Sequence, residues 1–386
     1  MEIRTITAGA READLERAAH AAQLARERLT AAGYIVQTLR LALATTGSNR
    51  CGDFSTIAQA AEEQALVAGF DCVSIGLVDS DRLAALPEAI HATESLFASA
   101  LVAGADGIIR HETIRATAEA IAAIGASTPD GLSNLRFAAS ACMAPGSPFF
   151  PAAYHDGGAP WIAIGPEAAA LAVEAIADCR LQIADWEARQ SAIYNLQLAI
   201  EMHDARIGAA LKGIEADTGV RYAGCDWSLA PHLDPARSVG AALEALSGVP
   251  FGAWGTLAAV RALTSAIRAA RVTQLGYSGV MLPVLEDTTL ARRNAEGRYT
   301  LRDLLAFSAV CGTGLDTIPL PGDTTPDQIA GVLTEVAALA TALHKPLTAR
   351  LLPLPGLHAG DWTRFDQVSD PRVAQYFCAS RVMRIE

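Results

Sequence analysis

The chain has 386 residues, 51% of them hydrophobic and 19% charged, which suits a globular protein of one large or two ordinary domains with a substantial core. Its formal net charge of −12, with no basic block, argues against nucleic acid or an anionic membrane as partner. No run of about 18 apolar residues occurs: 96-LFASALVAGADGII-109 comes nearest and is broken by Asp106, so no membrane span is expected.

The N-terminus carries acids early and lacks a signal-peptide apolar core. The seven cysteines (Cys51, Cys72, Cys142, Cys179, Cys225, Cys311 and Cys378) are odd in number and widely spaced, without a C-x-x-C. Free thiols in a reducing compartment follow, and a cytoplasmic location is expected.

Strand-like and helix-like segments alternate along the chain. Residues 2-EIRTITA-8 read as a strand. Leu15, Ala18, Ala19, Ala22 and Leu29 then recur at helical spacing up to a stop at Gly33. Strands follow at 34–43, 71–79, 96–104 and 135–143, with helices at 54–69 and 112–126 between them. A further strand is expected around 160–166. Residues 167–217 hold few glycines, and Ile193, Leu196, Ile200, Ile207, Ala210 and Ile214 predict a long helix with His203 at a core-like position. Alternation resumes with strands at 220–231, 276–287, 317–323 and 346–356, and helices near 237–246, 256–270, 301–310 and 326–344.

Apolar strands alternating with helices predict a parallel sheet covered by helices, in one large α/β unit. Its halves, roughly 1–166 and 218–386, would be joined by the helical region 167–217. The expected strands 281-MLPVLED-287, 317-TIPLPGD-323 and 351-LLPLPG-356 each end in proline followed by an acid or glycine. Proline fits a strand end and poorly fits a strand centre, so the three predict one rim, where α/β folds bind ligands.

Candidate site residues follow from charge in apolar surroundings. Asp226, inside 225-CDWSL-229, must be paired or shifted in pKa. It reads either as a base or metal ligand, or as half of a structural ion pair, for example with Arg350. Glu286, Asp287, Asp316 and Asp323 bring several carboxylates to the rim, a set suited to magnesium or to divided acid and base roles. Helix capping is the alternative, favoured for Asp323. His155, before the turn Asp-Gly-Gly, suits proton transfer, or a loop histidine bonded to backbone. Gly312 and Gly314 could present N–H groups to an anion. Cys311 reads as a small buried hydrophobe before it reads as a nucleophile, since no base is adjacent. No H-x-x-x-H or H-E-x-x-H occurs, so zinc is unsupported.

The segments 3-IRTITAG-9, 148-PFFPAAYH-155, 225-CDWSLAP-231, 250-PFGAWGT-256, 277-YSGVMLPVLED-287, 311-CGTGLDTIPLPGD-323 and 345-KPLTARLLPLPG-356 resemble the "PFL family" proteins, the domain-of-unknown-function 711 group. The resemblance runs through nearly the whole chain. It implies an α/β barrel like that of pyruvate formate-lyase and anaerobic ribonucleotide reductase: about ten strands, in two parallel five-stranded halves, around a central finger loop. Glycyl-radical relatives need a glycine near the C-terminus. Here Arg381 and Val382 match the start of Arg-Val-x-Gly, but Arg384 stands where that glycine would be, and the last glycine is Gly360. Radical chemistry is therefore not expected.

The reading that results is a cytoplasmic enzyme acting on a small polar or anionic metabolite by non-radical acid–base chemistry, metal-assisted in one version. Asp226, Glu286 and Asp316 would serve as base or metal ligands, His155 as proton donor and Arg350 as anion clamp. The alternative is a metabolite sensor using the same pocket. The long helix would make the protein a homo-oligomer.

Overall fold

The computed structural model describes residues 1–44, 53–179, 186–365 and 377–385. Cys51 and residues 180–185 of the expected helical region lie outside the described residues. Among the described residues nine strands are found: β1 (Glu2–Ala10), β2 (Val36–Leu43), β3 (Cys72–Leu77), β4 (Leu96–Ala103), β5 (Phe137–Ala141), β6 (Trp161–Glu167), β7 (Arg221–Cys225), β8 (Gly314–Pro321) and β9 (Leu347–Leu354). They form one mixed α/β sheet in the order β7-β6-β1-β2-β3-β4-β5-β9-β8.

β1 to β5 are parallel neighbours. β6 runs antiparallel to β1, and β9 antiparallel to β5. β7 is parallel to β6, and β8 to β9. The last four strands therefore all oppose the first five.

The expected strand at 276–287 is not a continuous strand. Three single parallel bridges stand in its place: Gln274 to Cys225, Val280 to Leu229 and Pro283 to Asp316. The stretch thus touches β7 at one edge of the sheet and β8 at the other. Local chemistry explains the interruption. Gly276 and Ser278 have φ of +56° and +39°, outside the extended region, and Pro283 has no N–H to donate.

The expected long helix is also interrupted. Helices at Ala169–Asp178, Trp186–Ala210 and Ile214–Thr218 replace it, the last entered through Gly213 at φ +82°. Leu196, Ile200, Ile207 and Ile214 are buried as their spacing predicts, while Ile193 and Ala210 are half-buried.

The two faces of the sheet are covered differently. Leu39, Leu41, Ile162 and Ile164 join the helices in the main core. Their neighbours Ala42, Trp161 and Ala163 pack instead with Ala153, from the connection between β5 and β6. That connection, residues 142–160, folds back over the second face. Pro148 O accepts from Thr7 Oγ1 on β1 (2.7 Å), and Ala153 O accepts from Ser74 Oγ on β3 (2.8 Å). Phe149 packs with Tyr277 and Met281. The loop is therefore held between β1–β3 and the 276–284 stretch.

Candidate functional site

The register places Thr7, Arg40, Cys72, Phe97, Ala138, Arg350 and Asp316 on the loop-facing side, since each lies opposite, or an even number of residues from, a partner on that face. Several are ionisable, and they meet at one end of the sheet. Arg350 Nη2 lies 2.7 Å from Glu286 Oε1, and its Nε lies 2.7 Å from Asp316 Oδ1. Arg4 Nη1 is 3.7 Å from Glu286 Oε2 and its Nη2 is 3.3 Å from Glu167 Oε2. Arg237 closes the set, 2.9 Å from Glu167 and 3.1 Å from Glu2. Six separate stretches of chain thus contribute to one network.

Water reaches this network. The side chains of Arg4, Glu286, Asp316 and Arg350 keep 15–19% exposure, whereas Glu167 keeps 1%. Burial works against the charge on Arg350, but Asp316 and Glu286 hold its pKa above the usual arginine value. Burial would raise the Glu167 pKa, yet Arg4, Arg237 and Gln37 pull it below the ordinary carboxylate range. Asp316 spends Oδ1 on Arg350, and Oδ2 takes no hydrogen bond among the described residues.

Arg40 borders the same network without joining an ion pair among the described residues. Its Nε donates to Thr38 Oγ1 (3.1 Å), and its guanidinium carbon sits 5.4 Å from the Phe150 ring centre. Phe150 packs edge-on against Phe97 at 5.2 Å. Burial lowers the Arg40 pKa, and pushes the facing Cys72 thiol up to about 11, so that thiol stays protonated and inert near neutral pH.

Of the residues singled out from sequence, Glu286, Asp316 and Arg350 meet here. The others do not. Asp226 makes no pair with Arg350. It is fully buried and accepts from Ser228 N (3.1 Å), Ser228 Oγ (2.7 Å), Tyr277 N and Ser278 N (2.9 Å each). Burial pushes its pKa up against the pull of those donors. It staples the chain at 226–228 to that at 276–278.

His155 is also fully buried, and both ring nitrogens are engaged. Nδ1 accepts from Gly157 N (3.0 Å), which leaves the Nε2 proton to donate to Ala159 O (3.2 Å). It therefore serves the loop rather than carrying a proton at the network. Gly312 N donates to Val280 O (2.7 Å) and Gly314 N to Cys311 Sγ (3.4 Å), so neither N–H is open to an anion. Cys311 is fully buried.

Asp287 does cap a helix, accepting from Thr289 N and Leu290 N. Asp323 does not. The cap of the helix Pro326–Leu343 is Thr325, in a reciprocal box with Gln328, while Asp323 stays exposed 3.9 Å from His358. His203 is half-buried against the Tyr34 hydroxyl (2.9 Å), and the neighbouring Asp204 accepts from Trp227 Nε1 (3.0 Å). Among the described residues no three His, Cys, Asp or Glu side chains gather into a metal-binding group.

Sequence reasoning missed Arg4, Arg40 and Glu167. The signal was present, because each is a charge in or at the end of an apolar strand, the feature that drew attention to Asp226 and Arg350.

A family model described as "Uncharacterised ACR (DUF711)" matches residues 1–369. A UPF0210 protein of Pyrobaculum islandicum is 32% identical over 303 residues, covering 77% of this chain and 66% of the relative. A UPF0210 protein of Methanopyrus kandleri is 32% identical over 79% of this chain and 70% of its own length. One from Desulforudis audaxviator is 31% identical over 86% of this chain and 71% of its own length. The matched stretch thus spans just under two thirds of the first relative. No helix among the described residues is long and apolar enough to cross a membrane.

Proposed function

The chain belongs to the DUF711 family, and on that premise we propose that it is a cytoplasmic enzyme acting on a small polar or anionic metabolite at the charged end of the sheet, by acid–base chemistry without a radical. The observation that carries this reading is the bridging of Glu286 and Asp316 by Arg350, in a place that water reaches. Arg350 fixes both carboxylates in position. Asp316 Oδ2 is the free lone-pair site best placed to take a proton from a bound ligand. Asp226 and His155 take no part, because Asp226 is spent on three backbone N–H groups and the Ser228 hydroxyl, and His155 on backbone. The carboxylates present favour a metal-free version, since each is already engaged by an arginine.

The finer architecture belongs to the same proposal. The 274–284 stretch would act as a tenth, irregular strand closing the sheet into a barrel like that of pyruvate formate-lyase, with residues 142–160 as its finger loop. Its bridges to both sheet edges support this. The chain would then be one large domain of two halves joined by the helical region.

A second reading, a metabolite sensor, draws support from the same ion pairs, which leave Glu286 neutralised at rest. The two readings part on turnover. Asp316→Asn and Glu286→Gln are tested in a product screen by mass spectrometry over small carboxylic and hydroxy acids. The enzyme reading expects turnover to fall by at least about a hundredfold while binding survives. Turnover unchanged in both variants overturns it. Ligand binding with no turnover in the wild type favours the sensor.

A further inference from the structure

The helix Trp186–Ala210 has two apolar faces. Ala192, Leu196, Ile200 and Ile207 are buried in the main core. On the opposite side Tyr194, Leu198 and Met202 are 58%, 42% and 66% exposed, and Ser191, Ala205 and Ala209 are exposed beside them. These six occupy about a quarter of the helix circumference and run along about 27 Å of it. None carries a charge. The outer side of a surface helix ordinarily does.

The charges that flank the stripe are turned back on their own chain. Glu201 Oε1 accepts from Arg271 N (3.0 Å). Arg206 bonds to Ala32 O, and its guanidinium carbon sits 5.2 Å from the Tyr34 ring centre. The apolar surface continues past the N-terminal end of the helix. Arg189 Nη2 reaches Ser247 O (3.4 Å), and a Cβ at Gly255 would lie 4.0 Å from the Ser247 Cβ. The neighbouring Trp254 is wholly exposed, and Leu257 is exposed as well. Five of the eleven exposed large apolar side chains among the described residues thus belong to this helix and its N-terminal end. The others stand singly in the sequence or, at Leu66 and Val67, as a pair.

We infer that this stripe is the contact of a symmetric dimer, in which the helix packs antiparallel on its own copy about a two-fold axis at Leu198. The inference is independent of the function proposed above. A face without charge offers nothing to nucleic acid or to an acidic peptide, so its partner must present an equally uncharged apolar face. A second copy presents one by identity. No other exposed apolar run of that length occurs among the described residues, so the contact is isologous, the same patch on both copies. Antiparallel packing also opposes the two helix dipoles. The side chains match in this register. Leu198 meets the partner's Leu198, and Tyr194 meets the partner's Met202, ring against thioether. Ser191 meets the partner's Ala205, two small residues that let the helices approach closely. The small Ala209 leaves room for the partner's Trp254, which widens the contact toward the about 1,000 Å² that a stable dimer needs.

The test is light scattering on the full chain together with cysteine cross-linking. Wild-type protein at tens of micromolar is expected at twice the chain mass. Leu198→Cys is expected to form a disulfide between two copies under mild oxidation, located by peptide mass spectrometry. Tyr194→Cys and Met202→Cys chains are expected to cross-link to each other when mixed, and to stay unlinked when oxidised separately. Glu63→Cys, exposed on the distant helix Phe54–Val67, is the control expected to stay unlinked. Wild type at the mass of one chain overturns the inference. A dimer in which Leu198→Cys stays unlinked, or in which Glu63→Cys links as readily, places the contact elsewhere and overturns it too. A link at 198 with none between 194 and 202 overturns the antiparallel register.

Discussion

Asp226 and Glu286 are both carboxylates in apolar surroundings, and they are answered by different means. Asp226 collects four hydrogen bonds, three of them from backbone N–H groups. Glu286 faces two arginines. Asparagine at 226 would keep one acceptor oxygen and turn an NH2 group toward existing donors. Asp226→Asn is therefore expected to cost about 3 kcal/mol, read from the denaturant midpoint, and a loss under about 1 kcal/mol would contradict the staple. Glu167 gives a pH prediction. Its folded-state pKa lies below the unfolded value of about 4.3. Its contribution is thus complete above that unfolded value and is lost as pH falls through the folded one. Glu167→Gln should lower stability near neutral pH and flatten its acid limb below about pH 4.3. An acid limb as steep as that of the wild type would count against the Arg4–Glu167–Arg237 arrangement. At this scale the sequence revealed which residues carry a buried charge, because a lone ionisable group in an apolar strand is visible by inspection. It did not reveal the partners. Backbone donors such as Tyr277 N leave no mark in a sequence, and this is why Asp226 looked like a site residue.

Helices and strands were legible wherever periodicity was regular, and their ends were legible where capping chemistry was unambiguous. For the helix Pro326–Leu343 the expected cap was Asp323, and the cap found is Thr325. The box that Thr325 forms with Gln328 three residues on decided between them. Thr325→Ala should cost about 1 kcal/mol, and Asp323→Ala should stay within about 0.5 kcal/mol of wild type. Equal losses at the two positions would contradict the assignment. The stretch 276–287 was misread as a strand because its apolar run hides two positive-φ residues. Glycine positions make a sharper test. A Cβ at Gly314, with φ +99°, would sit 2.4 Å from Thr348 O, whereas one at the exposed helical Gly331 meets nothing within 4 Å. Gly314→Ala should destabilise by at least about 2 kcal/mol, and Gly331→Ala should stabilise by about 0.5–1 kcal/mol, both read from chemical denaturation. A tolerated alanine at 314 would mean that β8 and β9 are less closely apposed than described.

For the whole molecule, strand–helix alternation was enough to give the α/β class. Strand direction was not legible, since hydrophobic periodicity is the same for either sense, and neither was the burial of residues 142–160. That loop is rich in proline, glycine and aromatics without a period, and its place under the sheet depends on single contacts such as Thr7 with Pro148. The expectation of a homo-oligomer also belongs to this scale. Tyr194, Leu198 and Met202 are exposed at four-residue spacing along Trp186–Ala210 and form an apolar stripe. If that stripe is the contact, Leu198→Glu with Met202→Glu should convert an oligomer to monomer in light scattering, and an unchanged mass would remove the helix from consideration. The charged end of the sheet is the property of the molecule on which function depends, because Arg4, Arg40, Glu286, Asp316 and Arg350 are distant in sequence and only the fold unites them. A crystal structure of the full chain tests this most directly. The account predicts Arg350 bonded to both Glu286 and Asp316, with Arg4 beside Glu286 and Glu167. Arg350 turned to solvent, with Glu286 and Asp316 on separate surfaces, would contradict it.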